Sequence, residues 1–271
     1  MGTLLLVHAH PDDECIATGG VMIRAHDAGH RVVLVTATRG EEGEIHNMDE
    51  AWARPRLGEI RTEELLRAGE ILGVDRQVFL GFRDSGMAGT PSNDDPRSFH
   101  SAHLGEAALR LAVIMREEWP DVVVTYTPDG TYGHPDHIKA HHTTIAALDL
   151  LQEEGWSPAK AYLQAVPRSF VQQMRERMRE LAPDDEPPAD GVAIRIEGIP
   201  DEEITTIVDV RDLVARKRAS FAAHVSQNNP NSPFATMAEQ IFVAAFGTER
   251  FVLARGALGE ARPERDLFVG V

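Results

Sequence analysis

Three carboxylates and a histidine crowd into five residues at His10-Pro11-Asp12-Asp13-Glu14. Their mutual repulsion falls if a divalent cation sits among them. His10 and Asp13 are three residues apart, so one turn of chain can aim both at one point. Asp12 then points elsewhere and is free to act as a base on a water held there. A second string, Tyr132-Gly133-His134-Pro135-Asp136-His137, repeats the His-Pro-Asp pattern. One of His134 and His137 can complete a His–Asp–His set while the other stands beside it. Two nitrogen ligands, one oxygen ligand and an open fourth position describe a catalytic zinc site better than a structural one. Manganese or iron(II) could bind the same donors.

Each string has a plainer interpretation. Acidic residues in a first helical turn complement the helix dipole, and Pro11 and Asp12 suit a helix start. A loop rich in Gly, Pro and Asp can be a turn with solvated histidines. Two matching His-Pro-Asp strings in equivalent places argue against both. His8 reads as a packed, hydrogen-bonded strand residue. His141 and His142 read as surface or supporting residues, of which only one can face a metal.

Both strings follow strand-like runs. Residues 3–7, 31–37, 77–82 and 121–126 are short apolar or β-branched segments, the pattern of buried parallel strands. Between them lie helix-like stretches at 16–28, 56–72, 104–118 and 138–151, two of them stopped by Gly29 and Gly73. Alternation of this kind predicts an α/β fold, a Rossmann-like, mostly parallel sheet with helices on both faces. Open sheets of that type place ligands at the carboxyl ends of strands, where both strings fall. Residues 83–100 form a long polar connector containing Pro91 and Pro96, long enough to be functional. Further on, the sequence predicts an exposed loop at 184–188, strands at 191–196 and 204–210, and helices at 211–227 and 234–246. The expected organisation is a catalytic core over residues 1–155 and a C-terminal α/β extension, 156–271, packed on the same domain.

Bulk properties narrow the class. The chain has 271 residues, 42% of them hydrophobic, enough for a real interior. A formal charge of −16 repels phosphate backbones, so no nucleic-acid partner is expected. One cysteine excludes an internal disulfide and a cysteine-rich zinc site. No apolar run approaches a membrane span and the N-terminus lacks a basic leader, so a cytoplasmic, membrane-free protein is expected. Oligomeric state is not legible.

Together the two strings resemble those of the LmbE-like, or PIG-L, zinc-dependent N-deacetylase family, over residues 4–142. The resemblance implies zinc ligands at His10, Asp13 and His137 and a general base at Asp12. It implies an oxyanion-side histidine at His134 tuned by Asp136, an assisting Tyr132, and sugar contacts from Arg61 and Asp84. Gly40-Glu41-Glu42-Gly43-Glu44 and Arg83-Asp84-Ser85-Gly86-Met87-Ala88-Gly89 are similar to strings of the mycothiol-biosynthesis deacetylase and mycothiol S-conjugate amidase group. The implied substrate is an amino sugar or thiol conjugate, with hydrolysis of the acetamide of an N-acetylglucosamine-type glycoside, GlcNAc-inositol-like. Ala17 stands where the S-conjugate amidase usually carries lysine. That amidase, or a natural-product tailoring deacetylase, is the alternative within the family. A metal-dependent phosphoesterase is the alternative outside it, and no Walker-type phosphate cradle supports it.

Overall fold

The computed structural model describes residues 1–181, 196–230 and 236–271. β1 (Thr3–His8) and β2 (Arg31–Thr36) pair in parallel, with Leu4 opposite Val32. β3 (Arg76–Phe79) lies outside β2, and β4 (Val122–Tyr126) lies on the other side of β1. β5 (Lys160–Gln164) continues the parallel set beyond β4. β6 (Thr206–Asp209) and β7 (Thr248–Gly256) finish the sheet, β7 antiparallel to both β5 and β6. The order is β3-β2-β1-β4-β5-β7-β6.

The helices are α1 (Asp13–Ala17), α2 (Gly19–Asp27), α3 (Glu50–Ala53), α4 (Leu57–Leu72), α5 (Leu104–Glu118), α6 (Gly130–Gly133), α7 (Pro135–Glu153), α8 (Arg168–Leu181), α9 (Val214–Ala222) and α10 (Glu239–Phe246). The central strands carry unbroken apolar runs, at residues 4–7, 32–35 and 122–124, because both faces of the sheet are covered there. Leu5, Val7, Val33, Val35 and Val123 pack with Leu111 of α5 and Leu148 of α7. Leu4, Leu6, Val32, Leu34 and Val124 pack on the other face with Met22 of α2 and Leu65 of α4. The mostly parallel α/β architecture expected from the sequence is the one observed.

Several boundaries differ from expectation for local reasons. The helix expected at 16–28 is two helices, broken at Thr18. The Thr18 hydroxyl donates to the Glu14 carbonyl at 3.0 Å and meets His8 Nε2 at 2.9 Å, drawing the chain out of helical register. The strand expected at 77–82 ends at Phe79, where the chain turns through Gly81 at φ +81. Residues 211–227 hold α9 between two short 3₁₀ turns. Strands β5 and β7 and helix α8 were not anticipated. The loop expected at 184–188 lies outside the described residues, as do 191–195 of the expected strand and the first two residues of the helix expected at 234–246; α10 begins at Glu239.

The C-terminal third is tied to α2 by a buried charge pair. Glu249 on β7 accepts the backbone N–H groups of Gly20 and Val21, at 2.7 and 2.8 Å, and so caps α2. Lys217 of α9 meets the same carboxylate at 2.6 Å and also donates to the Phe246 carbonyl. Removing one partner of a buried pair leaves an uncompensated charge, at a cost of about 3–5 kcal/mol. Glu249→Gln is therefore expected to lower unfolding free energy in urea by about 3 kcal/mol. The double variant Glu249→Gln/Lys217→Met should recover part of that loss.

Candidate active site

β1 and β4 are neighbours at the point where the strand order reverses: the chain goes from β1 outward to β2 and β3, then returns to β4. Crevices at such switch points open at the carboxyl ends of the strands. The loop after β1 brings His10, Asp12 and Asp13 there, and the loop after β4 brings Tyr132, His134 and His137. The Asp13 carboxylate lies between two imidazoles, Oδ2 at 3.4 Å from His10 Nδ1 and Oδ1 at 3.3 Å from His137 Nε2. His134 stands beside them, its ring centre 4.6 Å from that of His10 and 5.2 Å from that of His137.

The far nitrogen of each imidazole is fixed. His137 Nδ1 donates to the Gly130 carbonyl at 3.2 Å, leaving Nε2 with a free lone pair toward Asp13. His10 Nε2 faces the Asp136 carboxylate at 3.2 Å, leaving Nδ1 toward Asp13. This is how metal-binding histidines are held. His10, Asp13 and His137, the three residues expected from the sequence to hold an ion, thus meet around one carboxylate; His10, His134 and His137 also offer ligand atoms within 4.8 Å of one another. Asp13 is itself anchored: Oδ2 accepts the His10 backbone N–H at 2.8 Å and the Tyr126 hydroxyl at 2.7 Å. Burial alone would raise the Asp13 carboxyl, but His137 and His10 hold it well below the usual range.

His134 differs from its neighbours. Its Nδ1 accepts the Asp136 backbone N–H at 3.1 Å, capping α7, so the proton of the neutral ring sits on Nε2. Burial, then the nearby His10 and His137, pushes this imidazole down to about 3. It is a neutral hydrogen-bond donor at physiological pH. Tyr132 places its hydroxyl 3.4 Å from His137 Nε2, and burial followed by Asp13 pushes the phenol upward, so it too stays protonated. Asp136 was expected to tune His134. Its carboxylate instead accepts Ser85 N–H at 2.9 Å and the Ser85 hydroxyl, and faces His10. Only its backbone N–H touches His134.

Asp12 adopts φ +97, a left-handed conformation costly for a residue with a side chain. Burial raises its carboxyl to about 6, with Arg61 opposing and Asp13 adding to the shift. Arg61 lies under it, donating to Asp12 Oδ2 at 3.1 Å, to the Gly40 carbonyl at 2.8 Å and to the Pro11 carbonyl. Gly40 and Gly43 make room for that guanidinium; a Cβ on either would run into it. Asp84 is equally engaged. It accepts the backbone N–H groups of Glu42 at 3.1 Å and Gly86 at 2.9 Å, with Oδ1 3.5 Å from His10. Arg61 and Asp84 are thus buried in the cleft floor and walls, not extended toward solvent.

The cleft is lined by His10, Asp12, Asp13, Arg61, Asp84, Tyr132 and His134, with Glu42, Glu44 and Met87 at its mouth. Of residues 83–100, Asp84, Gly86 and Met87 line the cleft; the segment is held by Asn93 Nδ2 on the Ser85 carbonyl at 2.5 Å and by Phe99 stacked on Phe82. His8 bonds Tyr126 and Thr18 inside the core, and His141 bonds the Tyr126 carbonyl; neither lines the cleft. Sequence reasoning missed Tyr126 and Ser85. Tyr126 ends β4, and a polar aromatic closing an otherwise apolar strand was the available signal.

A mostly parallel sheet whose switch point gathers a His–Asp–His cluster, with a second aspartate held by Arg61 beside it, has the frame of a hydrolase. The family model for PIG-L, the GlcNAc-PI de-N-acetylases, matches residues 5–148, and the chain belongs to that family. It is 43% identical over 284 residues to the 1D-myo-inositol 2-acetamido-2-deoxy-alpha-D-glucopyranoside deacetylase of Acidothermus cellulolyticus, across 99% of this chain and 95% of that protein. The same-named enzyme of Thermomonospora curvata is 43% identical over 279 residues, across 95% of this chain and 92% of the other. Among solved structures, N,N'-diacetylchitobiose deacetylase from Pyrococcus horikoshii superposes with TM-score 0.63 at 21% identity, covering 93% of this chain and 83% of that one. GalB, a 4-carboxy-2-hydroxymuconate hydratase from Pseudomonas putida, gives 0.62 at 23%, covering 96% and 99%. These two likenesses show the fold alone.

Ser85 offers a direct check on the Asp136–His10 link. Ser85→Ala is expected to weaken zinc binding in a chelator competition by less than the roughly 10- to 100-fold lost when a ligand's own outer hydrogen bond goes, because Ser85 touches Asp136 and not His10. Unchanged affinity would show that Asp136 holds His10 without help.

Proposed function

We propose that the chain is a zinc-dependent N-deacetylase that hydrolyses the acetamide of an N-acetylglucosamine-type glycoside, of the GlcNAc-inositol kind. The observation that carries this is one carboxylate, Asp13, within 3.4 Å of two imidazoles, with Asp12 beside it on the same cleft. The substrate class follows the relatives that match almost the whole chain.

His10, Asp13 and His137 would hold the ion. When bound, it would polarise the amide carbonyl and lower the pKa of a coordinated water toward about 7. Asp12, raised to about 6, takes the proton of the attacking water. As charge develops on the carbonyl oxygen, His134 Nε2–H and the Tyr132 hydroxyl donate to it. A donor of this kind supplies roughly 3 kcal/mol. Asp12 then returns its proton to the leaving nitrogen, and acetate and a free amine result. Asp84 and Arg61 shape the wall against which the sugar rests. The phosphoesterase alternative calls for two adjacent ions, so a metal-to-protein ratio of one would weigh against it.

We read residues 156–271 as part of the same domain, because β5, β7 and β6 continue the sheet of the first half. Among the described residues no helix is long and apolar enough to cross a membrane.

The test is free-amine release from GlcNAc-inositol, N-acetylglucosamine and a mycothiol-type S-conjugate, with metal content measured alongside. Preferred turnover of GlcNAc-inositol is expected. Release from none of them, with zinc bound, would overturn the reading. Asp12→Asn should keep its zinc and lose turnover by about 10²- to 10⁴-fold. His137→Ala should emerge from dialysis with little zinc.

A further inference from the structure

Glu14 closes the first catalytic string, yet it faces away from the cleft and is fully buried. Its two oxygens do different things. Oε2 accepts the backbone N–H of Asp12 at 2.9 Å. Oε1 meets His224 Nε2 at 2.7 Å and accepts from the Cys15 thiol at 3.0 Å. His224 lies just past the end of α9, 210 residues away in the chain, and is also fully buried. Its other nitrogen, Nδ1, has no hydrogen-bond partner among the described residues. A half-satisfied buried imidazole costs stability. Its polar contact with the rest of the protein is spent on Glu14.

Glu14, Cys15 and His224 are close enough together to suggest a second metal site. The 2.7 Å contact argues against it, because zinc bound to both atoms would part them to roughly 3.3 Å. A direct hydrogen bond is the better description.

What the link reaches is Asp12, whose backbone sits at φ +97. A strained residue keeps such a conformation only where its surroundings over-determine it. Arg61 grips Asp12 from the carboxylate side and the Pro11 carbonyl. Glu14 grips it from the backbone side. We propose that His224 is a positioning residue for Asp12: through Glu14 it holds the Asp12 backbone in the left-handed conformation that turns the carboxylate into the cleft. The role of Asp12 as base rests on the function proposed above; the backbone claim does not.

The experiment uses the full-length zinc-loaded enzyme and its variants His224→Ala, His224→Gln, Asp12→Asn and His224→Ala/Asp12→Asn. With GlcNAc-inositol as substrate, His224→Ala should lower kcat roughly 10- to 100-fold, the cost of a misplaced catalytic group. Zinc content and KM should stay near wild type. His224→Gln, whose amide N–H can replace the lost donor, should regain most of the rate. The double variant should be no slower than Asp12→Asn alone, since His224 acts through Asp12; multiplied losses would overturn the proposal, as would an unimpaired His224→Ala. A variant that does not fold is replaced in the same cycle by Glu14→Gln. A crystal structure of His224→Ala gives a readout independent of turnover. Asp12 leaving positive φ supports the proposal, and an unmoved Asp12 overturns it. Absence of wild-type turnover would sink the proposed function while leaving that structural test intact.

Discussion

One carboxylate holds the site together. Asp13 follows β1 at the head of α1, and its partners come from both sides of the sheet's reversal point: His10 and its backbone from the same loop, Tyr126 and His137 from β4 and α7. The contacts with Tyr126 and His137 could not form unless β1 and β4 were hydrogen-bonded neighbours with matched carboxyl ends. The apolar runs that bury both strands therefore do chemical work, because they fix where the 113 residues between His8 and Val122 must return. Cationic charge among these groups, from imidazolium or from a metal, is what makes so dense a set of carboxylates tolerable.

A shell of groups with no direct role in bond-making stands behind the reacting ones. Asp136 and Ser85 set His10, Gly130 sets His137, and the Asp136 backbone sets His134. Arg61 sets Asp12, at the expense of two glycines that leave it a path. The strings Gly40–Glu44 and Arg83–Gly89 belong to this shell. They cross each other through Asp84 on the Glu42 N–H, the Asp84 N–H on Glu41, and Arg83 on Glu42.

The centre of the parallel sheet was legible because β1, β2 and β4 carry unbroken apolar runs and the helices between them carry clean periodicity. That the two strings would meet was legible because strand-end placement is a property of sequence; spacing left His134 and His137 open as the third ligand, and the family resemblance chose His137. What escaped notice depends on contacts across the fold. β5 mixes Lys160 and Gln164 with apolar residues, and Lys160 is buried only because Glu264 meets it at 2.6 Å. β7 is a long strand of alternating exposure whose charged residues mask it. The role of Asp136 was misassigned because adjacency in the chain to His134 suggested a partner, whereas α7 turns that carboxylate toward His10. Arg61 and Asp84 were expected to contact a sugar; both are buried and hydrogen-bonded within the protein, and both line the cleft.

The cap that Glu249 places on α2 carries an implication for how this architecture can be divided. Every recognisable string ends by His137, so the first 155 residues look like a portable cassette. Yet α2 has its leading N–H groups satisfied from β7, and Asp12, which heads α1, is braced through Glu14 from beyond α9. Cutting the chain after the last string would expose two amides and bare a carboxylate beneath the reactive loop. Shuffling or grafting the amino-terminal half by itself would transplant the vocabulary of the site without its grammar.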